Sequence, residues 1–126
     1  MSTKLHDLVN QADLKSGASP QTATSTVTGT GVDMINADSR CFAVQHVGAV
    51  SGTSPTLDGK IQESDTSGSG YTDVAGATFT QVTTSTNLQV ITFERTKRYL
   101  RYVGTIGGTS PSFALAALIG QQKKQV

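Results

Sequence analysis

The 126-residue chain has no tryptophan, one cysteine, three prolines and few charges. Each shortage removes a class of function. A single thiol, Cys41, forms no intramolecular disulfide and no cysteine-based metal cluster. Its place in an apolar run marks it as a small core residue in a chain made in a reducing cytoplasm. Charged residues make up 15% of the sequence and the formal net charge is +1, against roughly 25% charged in typical soluble domains. That balance gives no bulk attraction to nucleic acid or to an anionic membrane. No apolar run approaches the ~20 residues that cross a bilayer as a helix. Residues 1–7 carry one lysine but no apolar segment of the kind a secretory signal needs.

Catalytic arrangements are equally scarce. His6 and His46 fall in different elements, and neither has an acid or nucleophile at a telling spacing. His46 lies on the apolar face of an expected strand, where a hydrogen-bonded core or interface imidazole is the commoner outcome. There is no Gly-x-Ser-x-Gly elbow and no glycine-rich phosphate loop with its lysine. Ser54 and Ser110 precede prolines in turn-forming runs, where hydroxyl-to-backbone bonds account for them. Asp58, Glu63, Asp65 and Asp73 form the one acidic cluster, but the carboxylate alternation of a calcium loop is missing. The chain reads as a non-enzyme with no cofactor and no metal site.

Hydroxyls and glycine are what the chain has instead: 19 Thr, 13 Ser and 13 Gly. Branched Thr suits a pleated surface, and Ser and Gly suit turns, so an all-β domain is expected. Two apolar runs end in the same Gly-Thr-Ser-Pro sequence, at 52–55 and 108–111. Each reads as the turn of a hairpin, two hairpins of one design 56 residues apart. In the run 40–50, Phe42, Val44, His46 and Val50 share one face, and Cys41, Ala43, Val47 and Ala49 the other. Both faces are largely apolar, so this strand is expected to be buried twice, or buried once and covered by a partner. Leu57, Gly59 and Ile61 alternate with Asp58, Lys60 and Gln62, a half-buried strand. About eight strands with regular turn signals predict a β-sandwich or jelly-roll-like domain over 21–120. Leu5, Leu8, Val9, Ala12 and Leu14 have helical spacing, which predicts a short N-terminal helical arm and linker over 1–20. Residues 121–126 read as a polar tail.

The one concentration of like charge is Arg95, Lys97, Arg98 and Arg101, a candidate surface for an acidic partner through Arg–carboxylate pairs. Further motifs run in order: Gly29-Thr30-Gly31-Val32-Asp33, Ser39-Arg40-Cys41-Phe42-Ala43-Val44, Ile61-Gln62-Glu63-Ser64-Asp65, Tyr71-Thr72-Asp73-Val74, Lys97-Arg98-Tyr99-Leu100-Arg101 and Gly107-Gly108-Thr109-Ser110-Pro111. This order, over roughly residues 25–120, resembles the head decoration (cement) proteins of tailed bacteriophages. The resemblance implies a virion protein on the capsid exterior that clamps subunits of the major capsid protein. It also implies a homo-oligomer, trimer or dimer. Leu5, Leu8 and Val9 of the arm, with Arg95, Lys97, Arg98 and Arg101, are the expected partner-binding residues. The Tyr71-Thr72-Asp73-Val74 and Arg98-Tyr99-Leu100-Arg101 segments are also similar to discoidin-like carbohydrate-binding β-sandwiches. The alternatives are therefore a glycan-binding module on a virion, or a tail or head–tail subunit.

Overall fold

The computed structural model describes residues 12–35 and 37–123. The described chain is all-β and forms one antiparallel sheet. Its strands are β1 (Ala12–Ala23), β2 (Val27–Thr28), β3 (Val32–Asp33), β4 (Ala37–Ser64), β5 (Thr72–Thr78), β6 (Asn87–Glu94) and β7 (Tyr99–Lys123). No helix occurs among the described residues.

Two strands dominate. β4 has 28 residues and β7 has 25, several times the usual length of about 5–6. They pair with each other along almost their whole length, from Cys41 opposite Gln121 to Ser64 opposite Tyr99. A straight strand of that length would run to roughly 90 Å at 3.3 Å per residue, far beyond the width of a small domain. The ribbon instead bends at its middle, where register shifts follow Val47, Ser51 and Thr53.

The bend is made by the two Gly-Thr-Ser-Pro runs, and it overturns the expectation of two separate hairpin turns. Both runs stay within strands and pair with each other, Thr53 opposite Thr109, between Ser51–Ser112 and Thr56–Gly107. Their backbones match: φ is 111° at Gly52 and 110° at Gly108, and 50° at Ser54 and 48° at Ser110. The contacts are reciprocal. A Cβ on Gly52 would lie 2.6 Å from the Ser110 carbonyl oxygen, and one on Gly108 would lie 2.7 Å from that of Ser54. Glycine is required at both, by conformation and by the close backbone approach. The similarity extends from 47–57 to 103–113, and the repeats end on the equivalent, fully buried Leu57 and Phe113.

Bending brings the two halves of the sheet face to face. One half has β1, the C-terminal part of β7, the N-terminal part of β4, and β6. The other has β2 and β3, the N-terminal part of β7, the C-terminal part of β4, and β5. Between them lies the core: Cys41, Ala43, Val47, Phe113, Leu115, Ala117 and Ile119 from the first half meet Leu57, Ile61, Leu100 and Tyr102 from the second. Tyr102, paired with Ile61, donates its hydroxyl to Gln45 Oε1 in the opposite half at 2.6 Å. Both side chains are fully buried. Gly59 makes room for this contact, because a Cβ there would collide with the Gln45 amide oxygen.

Several boundaries differ from the sequence reading. The expected sandwich of about eight strands is a single hydrogen-bonded sheet of seven, because β4 and β7 each run through a segment read as a turn. The expected helical arm ends in residues 12–14, which belong to β1; the rest of it lies outside the described residues. Residues 15–20, read as linker, also lie in β1. Gly17 and Ala18 turn into the core there, and register shifts between Ser16 and Gln21 accommodate the small residues and Pro20 on an edge strand. The expected tail likewise begins inside β7, with Gln121 buried and its Nε2 donating to Asp13 at 3.1 Å.

The Tyr102–Gln45 bond gives a first prediction. Tyr102→Phe leaves the Gln45 acceptor buried without its donor and is expected to cost about 1–3 kcal/mol. Gln45 Nε2 already lacks a hydrogen-bond partner, so Gln45→Leu combined with Tyr102→Phe should recover most of that loss. Urea unfolding of the cycle measures it. Losses that simply add would show that the pair is not coupled.

Candidate interaction surfaces

The two halves present different outer faces. Strand alternation puts Asp58, Lys60 and Gln62 of β4, with Tyr99 and Arg101 of β7, on the outside of the second half. They form a polar lattice. Arg101 Nε donates to Gln62 Oε1 at 2.9 Å, and Gln62 Nε2 donates to Asp73 Oδ1 at 2.9 Å. Lys60 Nζ lies 3.0 Å from the same carboxylate oxygen. Hydrogen bonds from Gln62, then Lys60, hold the Asp73 carboxyl below the usual carboxylate range. The Arg101 guanidinium covers the Tyr71 ring at 4.2 Å, and the Tyr71 hydroxyl donates to the Ser67 carbonyl at 2.8 Å.

The basic segment sits at the end of this face, in the loop between β6 and β7. Glu63, 8% exposed, anchors it. Its carboxylate accepts from the Thr96 amide at 2.8 Å, the Thr96 hydroxyl at 2.9 Å and the Lys97 amide at 3.2 Å. Arg95 points inward and donates to the carbonyls of Met34 at 2.7 Å and Lys97 at 3.0 Å. Arg98 makes a two-pronged pair with Asp33, Nε to Oδ1 at 2.9 Å and Nη2 to Oδ2 at 2.7 Å, while its guanidinium lies 5.1 Å from the Tyr99 ring centre. Lys97 is half-buried. Of the four cations expected to bind a partner, the guanidiniums of Arg95, Arg98 and Arg101 are thus each held by hydrogen bonds, and Lys97 joins the frame through its backbone amide and carbonyl. Leu5, Leu8 and Val9 lie outside the described residues.

The outer face of the first half is apolar. Leu88 and Val90 of β6 lie beside His46 and Val44 of β4, which lie beside Ala116 and Leu118 of β7. Phe42 and Leu14 continue the surface over Gly120. Leu88, Val90, Leu118 and Leu14 are 62%, 60%, 43% and 56% exposed. His46 is exposed on this face and is not a core imidazole. The opposite parity of the same strand, Cys41, Ala43, Gln45 and Val47, is buried. Burial pushes the Cys41 thiol up to about 11, well away from a reactive thiolate.

No group of three His, Cys, Asp or Glu able to hold a metal occurs among the described residues. The hollows are shallow. One of about 300 Å³ is lined by 16–19, Gln21 and 27–30, and one of about 450 Å³ by Pro20, Gln21, Thr22, His46, Gly48 and residues 114–116. Neither gathers a base, a nucleophile and an orienting acid.

No protein-family model matches the chain, and no curated protein matches it. The solved structures that are similar at low identity include the following three. SPBc2 prophage-derived protein YomS is 16% identical over 87% of this chain and 95% of its own, with a TM-score of 0.48. A chain of infectious bursal disease virus, Gx strain, is 11% identical over 87% of this chain and 31% of its own, with a TM-score of 0.47. A chain of the naturally occurring empty particles of cowpea mosaic virus is 8% identical over 92% of this chain and 87% of its own, with a TM-score of 0.44.

The Asp33–Arg98 pair gives a second prediction. The Arg98 hydrogen bond holds the Asp33 carboxyl down at about 2, against an ordinary value near 3.9. A depressed folded-state value means the pair contributes above pH ~4 and is lost as pH falls through about 2. Carboxyl-carbon NMR should therefore show Asp33 titrating near 2, and higher in Arg98→Gln, where the Ile35 amide still donates to it. An unchanged titration in the variant would remove Arg98 as the cause.

Proposed function

We propose that the chain is a structural virion protein that binds the outer surface of a phage capsid and stabilises contacts between major capsid protein subunits. The observation that carries this reading is the shape of its surface. It has two extended sheet faces and a pinned basic loop, where an enzyme would need a cleft with convergent titratable groups. Flat faces suit a flat partner, and repetition over a shell turns modest single contacts into strong overall binding. The order of motifs from Gly29 to Leu115, which resembles the head decoration proteins, supports the same reading.

Within it, Arg98 and Arg101 are the contact residues that the geometry favours. Their guanidiniums are already oriented by Asp33 and Gln62, so little side-chain entropy is lost on meeting a carboxylate. Arg95 holds the loop in shape. The glycan-binding alternative has less support: a sugar stacks on an open aromatic face, and one face of Tyr71 is covered by Arg101. A tail or head–tail subunit is separated from a shell protein by copy number.

Quantitative mass spectrometry of purified particles is the test. The protein should occur in a simple ratio to the major capsid protein, and Arg98→Glu with Arg101→Glu should lower its occupancy on the shell. A few copies per particle would move it to the tail or connector. Absence from particles would overturn the structural role.

A further inference from the structure

We propose that the apolar outer face of β1, β7, β4 and β6 is a self-association surface, covered by the same face of a second copy of this chain about a two-fold axis. At about 4.8 Å between strands and about 6.7 Å between successive outward residues, four strands and three rows span on the order of 400 Å². That falls within the roughly 300–600 Å² of the largest apolar patch on a typical soluble protein, which is often functional. It is about half of the roughly 800 Å² per partner of a stable interface, so it serves as the apolar centre and its surroundings as the rim.

Three observations favour a second copy as the occupant. First, the face carries a ridge and a hollow side by side. Leu88, Val90 and Leu118 project, while the hollow of about 450 Å³ beside them is lined by His46, Gly48 and Ala116 among others. A two-fold axis places each copy's ridge against the other's hollow, the self-complementary arrangement that an isologous contact requires. Second, the charges on this face are balanced. Arg40 and Glu94 lie opposite each other across β4 and β6, 3.8 Å apart and both about two-thirds exposed. A rim with both signs in one place meets a rotated copy of itself without like-charge conflict, whereas a strongly acidic or basic partner finds nothing to match. Third, the outward residues around His46 at the centre of the patch, Val44, Leu118, Val90 and Ala116, are all apolar. The basic loop and the polar lattice lie on the other half of the sheet and stay free, so this surface is additional to the shell-binding one.

The test uses the full-length pure protein, without particles, so its outcome does not depend on whether the shell reading holds. Sedimentation velocity across a dilution series should show a concentration-dependent dimer for the wild type. Leu88→Lys with Val90→Lys should remain monomeric over the same series, with an unchanged far-UV circular dichroism spectrum and cooperative melting. Thr105→Lys, exposed and remote from this face, should dimerise like the wild type. Should the double variant fail to fold, methyl NMR of the wild type replaces it: the Leu88, Val90 and Leu118 methyl signals should shift on dilution, and those of Leu57 and Ile61 should not. A wild type that stays monomeric to its solubility limit would overturn the proposal. So would a folded double variant that still dimerises, or dilution shifts confined to other residues.

Discussion

Everything in this molecule depends on one bend in one two-stranded ribbon. β4 and β7 are too long to lie in a flat sheet, and the pair of Gly-Thr-Ser-Pro runs folds them at a common point. Each run supplies the glycine that the other's backbone crowds, so neither could be changed alone without loss. Once the ribbon bends, the remaining strands have defined places: β6 and β1 flank one half, and β5, β2 and β3 flank the other. The core is then the space between two halves of the same ribbon, bridged at its centre by Tyr102 and Gln45.

The bend also explains why the surface is divided. Strand alternation gives each half one inward and one outward set of side chains. The outward set of the second half became a lattice of Arg101, Gln62, Asp73 and Lys60, where each polar group is satisfied by a cross-strand neighbour. The outward set of the first half remained apolar. The lattice and its neighbouring loop carry oriented cations, and the other face is apolar with one balanced charge pair, Arg40 and Glu94, at its end. On the proposed reading, the first surface meets the shell and the second meets another copy of the chain.

Much of the local structure was legible in the sequence. The alternation at Leu57, Gly59 and Ile61, the inward turn of one of the two tyrosines Tyr99 and Tyr102, and the buried Cys41 follow from strand periodicity alone. The two apolar faces of 40–50 signalled a strand with more apolar surface than one core needs: Phe42, Val44 and His46 lie on the outer face, but the register shift after Val47 exchanges the faces, so that Val50 packs on the core and Ala49 is exposed. Long-range pairing was not legible. A Gly-Thr-Ser-Pro run looks the same whether it closes its own hairpin or bends a strand against a second copy, because the local conformation uses positive φ in either case. Nor does local pattern reveal that Glu63 captures a loop 33 residues on, or that Asp33 meets Arg98 across 65 residues. The edge strand β1 was hidden by its Ser, Gly and Pro content, residues that mark a linker in isolation and a bulged edge in context.

The pairing of the two repeats can be measured directly with a cross-strand disulfide. Ser51 and Ser112 are opposite each other beside the bend, and both can be replaced by cysteine in a Cys41→Ala background. The bent ribbon requires an intramolecular disulfide to form on mild oxidation, mapped by peptide mass spectrometry, with the fold retained. Two independent hairpins would leave residues 51 and 112 apart. Free thiols after oxidation, or cross-links only between chains, would contradict the arrangement on which the whole structure rests.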